Sequence, residues 1–218
     1  VNAHRPLDSN AWHRHFADLD VATRWRLMVH VMRNNQPPPQ DSFDRAQELP
    51  GFRMHEDFAI QSIGLENENI VIKSENSETV QTDFITAATG FICDFTQRIE
   101  TSAIADQIAI WRDRYDPPAD VDWAPMGTYP WLEGGFAFQA KQPGTALWLQ
   151  HIYCFSLGTK PSLGLTGGSA SSIRHAVPRL IQDVTRQLFL NDADHHINDL
   201  LDHSGEDLVV ARHPNKSV

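Results

Sequence analysis

Residues Asp83 to Asp94, read as DFITAATGFICD, constrain the chain more than any other stretch. An acidic residue opens a short β-favouring apolar run, a turn of small residues Ala87-Ala88-Thr89-Gly90 closes it, and Phe91 follows. The pattern predicts a buried strand whose exit has been stripped of side-chain bulk. Bulk is absent where another segment or a bound ligand must approach the backbone closely, because glycine has no Cβ to hold it away. A plain core strand followed by a tight turn gives the same letters, so the residues alone leave both readings open.

The chain has 218 residues, a length that suits one large domain or one and a half small ones and can bury a sizeable core. Hydrophobic content of 41% and charged content of 21% are ordinary for a globular protein. The net charge of −10, with 18 Lys and Arg scattered among 28 acids, argues against a nucleic-acid partner, which would call for a basic face. Cys93 and Cys154 are far apart, fit neither a metal cluster nor a disulfide framework, and are expected as buried thiols in a reducing compartment. No apolar run of about 18 residues and no basic-then-apolar leader occurs, so neither a membrane partner nor secretion is expected and the cytoplasm is the default. The opening VNAHRPLDSN begins without a methionine and suggests a fragment, a processed product or a shortened chain.

Apolar residues at spacings of three and four, Trp12, Phe16, Leu19, Trp25, Met28 and Val31 among them, predict helix from Asn10 to about Asn34. Gln36-Pro37-Pro38-Pro39 ends it, since prolines remove backbone donors and hold the chain extended. Runs at Asp57–Ile63, Ile70–Ser74 and Val80–Ala87 predict strands, with hairpin turns at Gly64-Leu65-Glu66-Asn67 and Glu75-Asn76-Ser77-Glu78. Regularity then fades to Pro143, apart from a helix-like stretch Ala103–Arg114 closed by Asp116-Pro117-Pro118. Trp111, Tyr115, Trp123, Tyr129, Trp131, Phe136 and Phe138 sit there among Gly and Pro, which reads first as a loop layer packed on the protein's own core and second as a surface for a flat ring or a partner.

His151 to Phe155 predicts a strand, and Ser169 to Phe189 an amphipathic helix with Ile173, Val177, Leu180, Ile181, Val184 and Leu188 on one face. Gly167-Gly168-Ser169 lets the chain turn tightly into that helix, where free N–H groups and the positive dipole end can hold an electron-rich atom; Ser169, Ser171 or Ser172 serves equally as a plain N-cap. Pro178 predicts a kink or a later helix start.

DFITAATGF, the WRDRYDPP stretch and the Gly-rich turn into a long terminal helix together resemble the C-terminal part of flavin-dependent monooxygenases or oxidoreductases with two dinucleotide-binding domains. The resemblance implies an α/β chain: an incomplete FAD/NAD(P)-binding Rossmann-like fold with a β-hairpin or meander region, a long aromatic loop layer and a C-terminal amphipathic helix. It divides the chain into a helical segment from the NADPH-domain side (1–50), a β-rich region ending in the Ala-Thr-Gly strand (51–91), the aromatic layer (92–150), a strand plus C-terminal helix of the FAD domain (151–204) and a flexible tail (205–218). It implies FAD and NADPH as cofactors of the complete enzyme, with electrons passing from NADPH to flavin and O₂ oxygenating a small organic substrate. Cofactor-binding residues are then Ala88, Thr89 and Gly90, where the chain returns to the FAD domain, and Gly167, Gly168 and Ser169, at the helix end beside the flavin.

The departure weighs as much as the match. Two G-x-G-x-x-G fingerprints hold the dinucleotides in that family, and neither is present here. The chain is therefore expected to be the C-terminal portion of such an enzyme, inactive alone because it lacks the FAD phosphate site and most of the NADPH site, with FAD binding by the isolated chain left open and catalytic residues unassigned. Its expected partners are the small-molecule substrate and either a missing N-terminal nucleotide-binding half or a second copy. The alternative is a non-catalytic binding module derived from, or completing, such a flavoprotein. No metal is expected: His195 and His196 are adjacent and on a helix would point about 100° apart.

Overall fold

A computed structural model describes residues 5–34, 36–168, 170–205 and 208. It is a mixed structure of helices and one small antiparallel sheet. Helices α1 (Asn10–His15) and α2 (Val21–Arg33), joined by a 3₁₀ turn at Phe16–Asp18, fill the predicted first helical stretch. Asp20 caps α2, its Oδ1 accepting from the Thr23 N–H at 2.9 Å. The apolar face of α2 is buried through Trp25, Met28 and Val29, and Arg33 is its last residue before the prolines. Helix α3 (Gln40–Gln47) follows them, with no buried residue; its sequence lacks the apolar stripe that would have announced it.

Strands β1 (Ile60–Glu66), β2 (Asn69–Ser74) and β3 (Thr79–Thr82) form an antiparallel meander in the order β1-β2-β3, with an irregularity in the ladder between Ile60 and Ser62. The predicted first turn is displaced: β1 continues through Gly64-Leu65-Glu66, and the chain reverses at Asn67-Glu68, whose φ values of 50° and 70° suit a two-residue turn with the twist of a hairpin. The second turn stands at Glu75 to Glu78, where the Ser74 Oγ accepts the Glu78 N–H at 3.0 Å. The strands pack mainly on one another, β1 is exposed throughout, and Val71 and Ser74 of β2 are buried. No parallel ladder occurs among the described residues.

The buried strand predicted at Val80–Ala87 is realised only as far as β3 (Thr79–Thr82), and its buried continuation is corrected. β3 stops at Thr82, whose Oγ1 donates to the Phe84 carbonyl at 2.9 Å, and residues 83–92 run on as exposed irregular chain. Phe84 is 87% and Phe91 81% exposed. The cause is a missing neighbour: β3 already uses one edge on β2, and no other described strand pairs with the segment. It re-enters the protein at Cys93 and Phe95, both buried, with the Thr128 hydroxyl donating to the Cys93 carbonyl at 2.9 Å.

The core lies between α2 and the aromatic stretch. Trp25 and Trp111 are fully buried with ring centroids 5.9 Å apart, and the Trp25 indole N–H donates to the Val121 carbonyl at 2.8 Å. Extended pieces around 107–111, 129–132, 136–140 and 152–154 are laced by backbone bonds such as Ala109 N–H to Gln139 O at 2.8 Å and Cys154 N–H to Phe136 O at 2.9 Å. This overturns the helix-like reading of Ala103–Arg114: only a 3₁₀ turn at Ala105–Gln107 and helix α4 (Trp111–Arg114) are helical, because Ile108-Ala109-Ile110 is drawn into this ladder. The strand predicted at His151–Phe155 is likewise reduced to a bridge from Tyr153 to Ala137, behind a 3₁₀ helix at Leu147–His151.

Short helices α5 (Ala124–Gly127) and α6 (Lys160–Leu163) complete the layer. Ser162 of α6 is a hub: its Oγ accepts from the Trp111 indole N–H at 3.0 Å and from the Leu132 N–H at 3.1 Å, and donates to the Pro130 carbonyl at 3.2 Å. Helix α7 (Ile173–Asn191) runs through Pro178 in sequence, so the predicted later start is not seen, and α8 (Ala193–Leu201) follows it. The predicted flexible tail falls almost entirely outside the described residues.

Candidate functional site

Thr89 and Gly90, late in the exposed segment, lie on the wall of a cavity of about 510 Å³. The wall continues through Phe91, Ile92 and Cys93 of the same segment and closes against Trp123 and Pro125, Thr128 and Tyr129, Met32 of α2, and the Leu157-Gly158 turn with Lys160. Gly90 has φ +93° and nothing within 4 Å of where a Cβ would stand, so its backbone is open to an approaching group. Ala88 is exposed beside it and does not line the cavity.

The second predicted group has a different surrounding. Gly167 has φ +87°, but a Cβ there would lie 2.8 Å from Phe136 Cε1 and 3.4 Å from Thr159, so the chain's own buried side chains fill the space. Its N–H donates to the Ser172 Oγ at 3.2 Å. A Cβ at Gly168 would lie 3.3 Å from the Leu157 side chain, so Gly168 stands behind the cavity wall without lining it. Ser169 lies outside the described residues. The turn is anchored upstream by Thr166, fully buried, whose hydroxyl donates to the His13 carbonyl at 3.1 Å.

Sequence reasoning missed the cations of this cavity. Lys160 opens α6 and Arg98 follows the re-entry of the chain at Phe95, with its guanidinium 5.3 Å from the Phe95 ring centre. Burial pulls the Lys160 ammonium below its ordinary range. The signal that could have found it is a single lysine set in the otherwise uncharged stretch from Ile152 to Ile173. On the same wall, burial raises the Cys93 thiol to about 12, and burial followed by the nearby Cys93 raises the Tyr129 phenol to about 12. Neither is ionised near neutral pH, so both present a neutral group to the cavity.

Other clusters are structural. Ser162 is buried and spends its hydroxyl on the hub described above. His195 pairs with Asp199 at 3.4 Å on the exposed face of α8. Among the described residues no group of three or more His, Cys, Asp or Glu side chains is disposed to hold a metal, and no helix is long and apolar enough to cross a membrane.

No family model matches the chain, and no solved structure matches it. Over 192 residues it is 31% identical to an FAD-dependent urate hydroxylase of Xanthomonas campestris pv. campestris, a match that takes in 88% of this chain and 40% of that protein. The chain is thus similar to a segment, two fifths in length, of an FAD-dependent hydroxylase.

Proposed function

We propose that this chain belongs to an FAD- and NADPH-dependent monooxygenase that hydroxylates a small organic molecule, and that the cavity at Thr89-Gly90 is its share of the flavin site. The observation that carries the reading is the coincidence of the Ala88-Thr89-Gly90 turn, with Gly90 open at positive φ, and a cavity large enough for a fused ring, in a chain similar to part of an FAD-dependent hydroxylase. The residues fit one end of the cofactor only. Gly90 leaves room for a ring to approach, whereas the chain carries no G-x-G-x-x-G, so a pyrophosphate cradle has to come from elsewhere in a Rossmann-like domain.

When bound, the flavin supplies the redox chemistry of hydroxylation. This chain's residues orient and enclose. Thr89 and Gly90 admit the ring edge, and Gly168 backs the wall at Leu157. The relative's name points to an oxopurine as the substrate class. The exposed apolar segment at 83–92 is where the rest of the protein, or a second copy, covers this chain, and a cytoplasmic setting goes with two free buried thiols.

A second reading, a non-catalytic module that completes a flavoprotein supplied by another chain, is favoured by the absent fingerprint. Titration with FAD, read by quenching of flavin fluorescence, tests the first. Uptake by the protein that is weakened in Gly90→Val, with the fold intact by circular dichroism, supports it. Uptake unaffected by Gly90→Val would remove the cavity from the flavin site, and no uptake by the longest natural form of the protein would leave the module.

A further inference from the structure

In a protein with ten more acids than bases, the wall of the Thr89-Gly90 cavity contains Arg98 and Lys160 and no Asp or Glu. The nearest acid in sequence, Asp94, is engaged elsewhere, accepting from Thr96 N–H at 2.9 Å and from the Gln97 side chain at 2.6 Å. Of the three lysines among the described residues, Lys73 pairs with Glu66 at 3.1 Å and Lys141 with Asp113 at 3.2 Å, while Lys160 has no ion-pair partner among the described residues. Desolvation is the whole of the pressure on its ammonium, with no carboxylate opposing it. A partly buried cation held without a counter-ion is costly, and the cost is offset when an anion enters. The remaining wall carries the aromatic side chains of Phe91, Trp123 and Tyr129 with Met32 and Leu157, alongside the hydroxyl-bearing Thr89 and Thr128.

We infer that Lys160 and Arg98 are the recognition residues for the negative charge of a planar, anionic heteroaromatic ligand, whose ring lies against the aromatic wall of this cavity. The inference rests on the proposed function in locating the site, but it concerns the ligand's charge and not the flavin. Lys160 supplies a compact ammonium at the Leu157-Gly158 side, and Arg98 supplies a planar guanidinium at the Cys93 side. Charge-assisted hydrogen bonds in a partly enclosed cavity are stronger than the same bonds in water, which makes the pair selective for the ionised form of a ring. Two kinds of planar heteroaromatic ligand differ in charge: an ionised oxopurine and a neutral flavin ring.

The test titrates the chain with urate (planar, anionic), riboflavin (planar, neutral) and inorganic pyrophosphate (anionic, not planar), read by tryptophan fluorescence and calorimetry. Expected is urate binding that weakens with added salt and drops about tenfold or more in Lys160→Met and Arg98→Gln, with Lys160→Arg restoring most of it. Riboflavin binding, where it occurs, is expected to be indifferent to those variants. Unchanged urate affinity in Lys160→Met and Arg98→Gln, both folded by circular dichroism, would overturn the inference. So would pyrophosphate binding more tightly than urate, which would make the cavity a phosphate cradle, or an absence of urate binding to the parent chain. Because no arm requires FAD, failure of FAD uptake leaves this result readable on its own.

Discussion

Gly90 and Gly167 share a backbone conformation and differ in what lies beside them, and that difference separates their substitutions. Alanine at either position pays about 1 kcal/mol for a positive φ. At Gly90 nothing more is added, whereas at Gly167 the new methyl meets a fully buried Phe136 ring that has nowhere to go, for a total of about 2–4 kcal/mol. Urea unfolding is expected to show Gly167→Ala well below Gly90→Ala in midpoint. Cys93 makes a second prediction. In the unfolded chain its thiol ionises near 9.0, but in the folded protein only near about 12, so between those values the native state binds the proton that the unfolded state has released. Stability is full below pH 9 and is lost as pH rises towards 12, and Tyr129, also raised to about 12, acts in the same direction. Urea melts across that window are expected to fall steeply for the parent chain and less steeply for Cys93→Ala.

Short elements in the aromatic layer are held by side-chain hubs more than by their own ladders. Ser162→Ala would leave the Trp111 indole N–H, the Leu132 N–H and the Pro130 carbonyl each without its partner, at a cost of about 2–4 kcal/mol, measurable as a fall in thermal midpoint with little change in near-neutral solubility. Such hubs explain which elements were legible from pattern. The α1–α2 stretch carries three- and four-residue spacing and a capping Asp20, and its helical backbone bonds close within a few neighbouring residues. Ala103–Arg114 carries a similar pattern, yet Ile108 to Ile110 bond to residues about 20 to 30 positions away, and no local periodicity announces those partners. Turn position failed for a related reason: Gly64 signalled a break, but ladder bonds to Val71 keep it in β1, and the reversal falls to Asn67-Glu68.

The assembled chain leaves apolar side chains uncovered at Phe84, Ile85, Phe91 and Ile92, and again at Ile99 beyond the buried Cys93 and Phe95. Surface of this kind drives association. At high concentration the chain is expected to self-associate and to bind a hydrophobic dye, and Phe84→Ser with Phe91→Ser to reduce both while leaving the melting temperature unchanged. Unaltered dye binding in the double variant would place the sticky surface elsewhere, on α7 and α8 for example. The resemblance carried by DFITAATGF pointed to the segment that reaches the cavity, because a small-residue turn is a purely local requirement. Helix α2, the meander and the long α7 were likewise written in spacing and turn chemistry, which act over a few residues. Which glycine faces open space was settled only by packing, since Gly167 is closed by Phe136 and Thr159 while Gly90 is left bare. The gathering of Arg98 and Lys160 into one acid-free cavity was settled the same way, because a cavity is made of walls that lie far apart along the chain.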